Sequence, residues 1–493
     1  MLFNSWTFVL FFVVVYLSYL RLRHGGQNRL LLVAGFVFYG YWDYRFLLLL
    51  MLTTLVDYGC GLGMSGASST ARRRAILLGS LAVNLGTLGF FKYCDFFIGS
   101  LVGLADILGF NLPIRPLGII LPLGISFYTF QEMSYVIDVY RGVIPPCRSL
   151  RDYAAYVSFF PQLVAGPIER ASHLLRQMAE PRVLSWDGVR AGLWLLVKGM
   201  FLKVVIADNA ARIADRAFNA PSGTGAEALL GVYAFAIQIY CDFGGYSNIA
   251  RGLAALMGFD IVVNFRQPYF ATNPADFWRR WHISLSTWLR DYLFLPLSYA
   301  FSRRLDGVCW FRLRDEFWIY AAATLATMLL GGLWHGADWK FLLWGAYQGV
   351  LLTLSRVFRT SRHPVRWGRA WLRPVRMIGM FHLTCFGWLI FRCNALSQVL
   401  SFPVSIGRNF AWDERASTTG LLLVGLAMLF LLLDVVDEWG RPVAKALRRS
   451  PDEVPAWYAV AGASVSLVTA AAMLGLIYLI GVRGGTSFIY FQF

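Results

Sequence analysis

The chain is 493 residues long, 57% hydrophobic and only 15% charged, with a mean hydropathy of +0.55. Soluble proteins run about 45–50% apolar and about 25% charged, so these values exclude a soluble globular fold. The formal net charge of +17 comes from basic residues clustered between apolar runs. That is the positive-inside pattern of a membrane protein, and no basic domain stands apart to bind nucleic acid.

The first apolar run, residues 2–20, has neither the basic leader nor the small-residue cleavage site of a signal peptide and reads as a retained membrane helix. It ends at Arg21, Arg23 and Arg29; runs at 30–42 and 46–64 follow, and then Arg72, Arg73 and Arg74. This alternation predicts both basic clusters in the cytoplasm and the N-terminus outside. A fourth span is expected at 75–92 and a weaker one at 96–110. Between 116 and 141, Pro122, Gly124, Gln131, Glu132 and Asp138 interrupt an apolar pattern. A broken helix at membrane depth is tolerated where it is buried in protein or lines a wet cavity. Residues 156–169 are too short and too proline-punctuated to span, and read as re-entrant or interfacial.

Further spans are expected at 188–206 and 231–257. The second carries Gln238, Tyr240, Asp242, Tyr246 and Asn248 in a glycine-interrupted helix. An acid there faces the protein interior, as a buried pair with an arginine or in contact with substrate. Residues 273–304 predict one amphipathic helix that lies at the cytoplasmic interface or plugs into the protein there. Trp278, Trp281, His282, Leu285, Ser286 and Leu289 share its broad face, flanked by Arg279, Arg280 and Arg290. Runs at 317–334 and 340–357 bracket His335. A strongly basic loop follows, with Arg356, Arg359, Arg362, Arg366, Arg369, Arg373 and Arg376. Spans at 377–391, 420–436 and 458–480 complete the chain. Arg441, Lys445, Arg448 and Arg449 mark the inside again, and the tail at 486–493 lies outside. The expectation is eleven to fourteen membrane segments with both termini outside. They form one integral-membrane domain, with N-terminal helices at 1–115, a core at 116–394 and C-terminal helices at 395–493. The seven cysteines form no C-x-x-C pair, so no metal site or disulfide framework is expected.

Chemistry concentrates on two of the six histidines. His335 lies between Leu333-Trp334 and Gly336-Ala337, where two apolar runs meet, and His282 follows Trp281. Imidazole titrates near neutral pH, and burial among Leu and Trp keeps it uncharged, as a general base requires. The plain alternative for each is a hydrogen-bonded core histidine. His24, His173, His363 and His382 have no motif support. Trp278 and Trp281 read as packing residues or as clamps on a donor; Arg279 and Arg280 suit CoA phosphates or simple snorkelling.

Two motifs resemble the signatures of the membrane-bound O-acyltransferase superfamily. They are Asp276-Phe277-Trp278-Arg279-Arg280-Trp281-His282-Ile283-Ser284-Leu285-Ser286 and Gly332-Leu333-Trp334-His335-Gly336. Four more stretches resemble its bacterial branch of alginate O-acetyltransferases and teichoic-acid D-alanine exporters: Leu121-Pro122-Leu123-Gly124-Ile125-Ser126-Phe127-Tyr128-Thr129-Phe130-Gln131, Val136-Ile137-Asp138-Val139-Tyr140-Arg141-Gly142, Phe160-Pro161-Gln162-Leu163-Val164-Ala165-Gly166-Pro167-Ile168 and Gln238-Ile239-Tyr240-Cys241-Asp242-Phe243-Gly244-Gly245-Tyr246-Ser247. The last departs from the more usual Phe-Asp-Phe-Ser of that branch by a packing-sized change. The length after Cys393 favours the exopolysaccharide-acetylating members.

The resemblance implies an all-α polytopic fold, a ring of transmembrane helices with re-entrant and interfacial helices around a thin central tunnel. It implies O-acetyl transfer from acetyl-CoA or another cytoplasmic thioester, with no permanently bound cofactor. His335 and His282 would be catalytic. Gln131, Gln238, Tyr240, Asp242, Tyr246, Asn248, Trp278, Arg279, Arg280, Trp281, Ser286 and Trp334 would line the donor path. The implied setting is the bacterial inner membrane. Its implied partners are a periplasmic acetyltransferase and the machinery of an alginate-like exopolysaccharide; cellulose, peptidoglycan and teichoic acid are alternative acceptors. From another class, a transporter of acyl groups would also use broken helices and intramembrane acids, although no inverted repeat is visible.

Overall fold

The structure is a computed structural model describing residues 1–219, 223–307, 309, 313–360, 370–449, 456–482 and 488–489. Only the backbone is described at 358–360, 370, 436–449 and 456–465. Arg362, His363, Arg366 and Arg369 of the basic loop and most of the tail at 486–493 lie outside the described residues. So do the side chains of Arg359, Arg441, Lys445, Arg448 and Arg449.

Among the described residues every element is a helix. The N-terminal part holds α1 (Trp6–Arg21), α2 (His24–Gly40), α3 (Tyr44–Ser65) and α4 (Thr70–Ile107), the last passing through a π-turn at Gly89–Tyr93. Then come α5 (Ile125–Arg141) and α6 (Leu150–Val157). Next, α7 (Trp186–Met200) runs through a π-helical segment, Phe201–Ala207, into α8 (Asp208–Asn219), and α9 (Gly225–Leu256) follows. Three short helices are α10 (Pro274–Trp278), α11 (Ile283–Leu289) and α12 (Leu295–Leu305). The C-terminal part holds α13 (Asp315–His335), α14 (Trp339–Thr360), α15 (Arg373–Arg392), α16 (Leu396–Arg408), α17 (Glu414–Arg449) and α18 (Ala456–Ile480).

Among the described residues six helices are long and apolar enough to cross a membrane: α3, α4, α9, α13, α15 and Glu414–Val435 of α17. The chain is a multi-pass membrane protein. The number is lower than the segments expected because α2, α5 and α7 are shorter, α14 is more polar, and the separate spans expected at 75–92 and 96–110 are one helix, α4. On α3, Leu48, Leu52 and Leu55 are exposed whereas Leu50, Thr53, Thr54 and Asp57 are buried. Apolar residues thus face outward and polar ones inward, as a lipid surround requires.

The chain divides into two compact units. The first comprises Met1–Leu193, Ala250–Val262 and Trp334–Asp338. In it α5 is buried on nearly every side, from Ile125 to Val136. The polar residues expected to break this helix do not, because their partners lie within the protein. Gln131 Nε2 donates to Tyr156 O at 3.0 Å, and Glu132 Oε1 lies 3.0 Å from Thr54 Oγ1 of α3. Next to it Asp57 is held by Ser80 and, at 2.8 Å, by Asn84 of α4. The break falls earlier, at Gly124, with φ +76°; a Cβ there would stand 2.7 Å from Leu163 O. Only glycine fits that corner. Residues 158–169 form a buried, turn-rich segment without a regular helix.

The second unit comprises Trp194–Ile249, Val263–Leu333 and Trp339–Phe493. Its core is aromatic: Trp281 and Trp388 lie 4.7 Å apart, and Trp281 stacks on Phe277 at 5.7 Å. Helices α13 and α14 cross at glycines. A Cβ on Gly345 would fall 2.2 Å from Met328 O, and one on Gly332 2.2 Å from Phe341 O. Small residues at the crossing let two membrane helices touch backbone to backbone.

Candidate active site

The first histidine sits at a helix end. His335 is the last residue of α13 and is buried. The final carbonyls of a helix have no acceptor role within it, and in an apolar surround they need a donor from elsewhere. Lys92, in the π-turn of α4, provides one. Its Nζ lies 2.5 Å from Trp334 O, 3.3 Å from His335 O and 3.2 Å from Ser126 Oγ. A cation at a helix C-terminus also opposes the negative end of the helix dipole. The neighbouring indole is held from the other side. Trp334 Nε1 donates to Ser126 O at 3.3 Å, and the ring stacks on Phe130 at 5.4 Å. The His335 ring meets Trp334 edge to face at 5.0 Å.

The second histidine, in the other unit, is fully buried and built differently. The single amphipathic helix expected over 273–304 is broken into α10 and a second helix, which runs from α11 through a π-helical segment, Arg290–Phe294, into α12. The break is at His282, a non-glycine residue with φ +41°. A left-handed residue of this kind costs about 1–2 kcal/mol, so something must hold it. Asn264 does: its main-chain O accepts from Ile283 N at 2.9 Å, while its side-chain Oδ1 accepts from Ser284 N at 3.2 Å and Ser284 Oγ at 3.0 Å. His282 Nδ1 lies 3.1 Å from the same Oδ1. Because the Ser284 N–H can only donate, the Asn264 atom facing it is the oxygen. The imidazole therefore carries its proton on Nδ1, and Nε2 bears the lone pair. Burial drives the pKa of this ring down to about 3, so it is neutral throughout the physiological range.

Asp242 is paired, with a lysine and not an arginine. Lys203 Nζ lies 2.8 Å from Asp242 Oδ1 and 2.9 Å from Asp208 Oδ1. Asp242 Oδ2 also accepts from Ile489 N at 2.5 Å. The Lys203 ammonium lies 4.5 Å from the Phe488 ring, and Tyr246 meets Phe488 edge on at 4.7 Å. This cluster fastens the chain at Phe488–Ile489 to α9. Phe243, next to Asp242, packs edge to face on His282 at 4.8 Å.

A cavity of about 180 Å³ lies between α10, α11 with its π-helical continuation at Arg290–Phe294, α13 and α14. Trp278, Ser286, Arg290, Thr324 and Thr327 are among its lining residues. Trp278 Nε1 and Thr324 Oγ1 are buried without a protein hydrogen bond, and so remain available to a guest.

The structure thus brings Trp278 and Ser286 to one cavity and Asp242 and Tyr246 to one ionic cluster. Trp281 goes into the aromatic core. Tyr240 donates to Asp434 at 2.8 Å, Gln238 is buried and Asn248 is half-buried on α9. Arg280 and Arg279 approach Asp276 at 3.2 and 3.6 Å, and Arg279 is mostly exposed.

A family model for MBOAT, the membrane-bound O-acyltransferase family, matches residues 148–394, a span that holds both histidines. The chain is also 36% identical to the probable alginate O-acetylase AlgI of Pseudomonas putida, with 100% of each chain covered. The chain belongs to the membrane-bound O-acyltransferase family. The corresponding protein of Pseudomonas aeruginosa is 39% identical over 88% of this chain and 81% of its own. The peptidoglycan O-acetyltransferase of Helicobacter pylori is 33% identical over 81% and 78%.

In this O-acyltransferase, Lys92, Ser126, Asn264 and Lys203 build the surroundings of the singled-out residues, and sequence reasoning missed them all. Lys92 left a signal as the one charged residue between Arg74 and Asp95, and Ser126 as part of the motif that begins at Leu121.

Proposed function

We propose that this acyltransferase moves an acetyl group from acetyl-CoA to the O-acetylation of a secreted, alginate-like exopolysaccharide, through a periplasmic acetyltransferase partner. The observation that carries the reading is end-to-end similarity to an alginate O-acetylase. Acetyl-CoA is too charged to cross a bilayer, so its nucleotide stays at the cytoplasmic face while the thin pantetheine arm reaches inward. The cavity bearing Trp278 Nε1 and Thr324 Oγ1 suits such an amide-bearing arm, with Arg290 at hand for a phosphate.

His335, uncharged, takes the proton of the acceptor hydroxyl as that oxygen attacks the thioester carbonyl carbon. The tetrahedral intermediate collapses with cleavage of the C–S bond. The imidazolium returns its proton to the departing thiolate, so an ester and free CoA thiol leave. His282, fixed with its lone pair on Nε2, serves as the second polar group of the donor path. The other donor-path residues named above keep that role in this reading.

Deletion of the gene in its host tests the acceptor. The expected result is loss of O-acetyl signals from the secreted polysaccharide in proton NMR, with peptidoglycan acetylation unchanged. Loss of acetyl from peptidoglycan alone would move the assignment to that polymer.

A further inference from the structure

Helix α4 is largely apolar between Arg74 and Asp95, yet it carries a lysine amine at its bulge. A π-turn inserts an extra residue into a helix and is frequent at functional sites. This one covers Gly89–Tyr93 and presents Lys92. An ammonium has three N–H donors, and Lys92 meets three acceptors: Trp334 O, His335 O and Ser126 Oγ. Two belong to the turn that carries the histidine, and the third to the first turn of α5. The same α5 turn fixes the Trp334 indole through Ser126 O. The backbone from which His335 projects is thus tied from one side by a charge and from the other by a ring. The Lys92 tie ends on main-chain carbonyls, while the Trp334 ring also meets the imidazole edge to face at 5.0 Å.

We propose that Lys92 is a positioning residue for acyl transfer: by fastening the Trp334 and His335 carbonyls to α4 and α5, it sets where the His335 imidazole stands relative to the reacting thioester and hydroxyl. The proposal rests on the reading of His335 as general base. A misplacement of about 1 Å at such a group can cost on the order of a hundredfold in rate.

The test uses membrane vesicles from a host deleted for the gene and carrying wild type, Lys92→Met, Lys92→Arg, His335→Ala or the Lys92→Met/His335→Ala double variant. Transfer of label from radiolabelled acetyl-CoA to polymer is measured against donor concentration and normalised to protein by immunoblot. Lys92→Met is expected to lower the maximal rate roughly 10- to 100-fold with KM for acetyl-CoA within about twofold. Lys92→Arg is expected to recover part of that rate, and the double variant to be no slower than His335→Ala alone. A wild-type rate in Lys92→Met beside a dead His335→Ala overturns the positioning role and leaves the base assignment standing. A wild-type rate in His335→Ala overturns the base assignment and this proposal with it. If Lys92→Met does not accumulate, Lys92→Arg decides: a KM change with an unaltered maximal rate overturns the proposal, and a reduced maximal rate at constant KM supports it.

Discussion

Replacement of His335 by alanine is expected to lower acyl transfer by about 10²–10⁴-fold, the usual contribution of a positioned general base. The protein should still reach the membrane, because the ties to Lys92, Ser126 and Phe130 run through backbone atoms and Trp334, not through the imidazole. Maximal rate and the ratio of maximal rate to KM should fall together, since proton removal belongs to the transition state and not to donor binding. His382→Ala is the matched control. That ring is exposed and bonds Tyr233 and its own helix at 3.1 and 2.8 Å, and its loss is expected to leave the rate unchanged. A transporter without bond chemistry would lose little in either variant, so the pair also separates the two classes of function. The check is label transfer from acetyl-CoA in vesicles holding equal amounts of each protein.

The second large effect is expected at Lys203. Its ammonium is almost wholly buried between Asp242 and Asp208, themselves nearly inaccessible. Lys203→Met would leave two carboxylates facing each other with no cation between them. Breaking a buried pair in this way costs about 3–5 kcal/mol, because the remaining charge is stranded and desolvated. Lys203→Met should therefore unfold in detergent at a markedly lower temperature than wild type. Asp208→Asn should cost less, since Lys203 and Asp242 then form a neutral pair. The C-terminal anchor at Ile489 N depends on Asp242 Oδ2, so protease should remove the tail of Lys203→Met faster than that of wild type. Equal melting temperatures for Lys203→Met and wild type would show that the cluster does not hold the fold.

Much of the fold was legible because lipid imposes a simple rule, that a spanning helix must be long and apolar. α3, α9, α13 and α15 fall close to the runs read from sequence. The junction at His335 was legible for the same reason, since an apolar run stops there and another begins. The break at His282 was not. A 3.6-residue periodicity continued through it, and the left-handed turn exists only because Asn264, 18 positions earlier in sequence, supplies acceptors to three successive residues. Lys203 was hidden likewise: no local pattern announces that a lysine at a helix junction will meet Asp242, 39 positions away. Long-range pairing, not local propensity, decides such positions, and one sequence records both partners without recording that they meet.

If an acyl group enters from one face of the membrane and leaves on the other through chemistry at His335, label cannot cross without that imidazole. Inside-out vesicles carrying the acceptor polymer and partner in their lumen test it directly, with radiolabelled acetyl-CoA added only outside. Label on luminal polymer is expected for wild type, and background label for His335→Ala. Equal luminal label from the two proteins would contradict it.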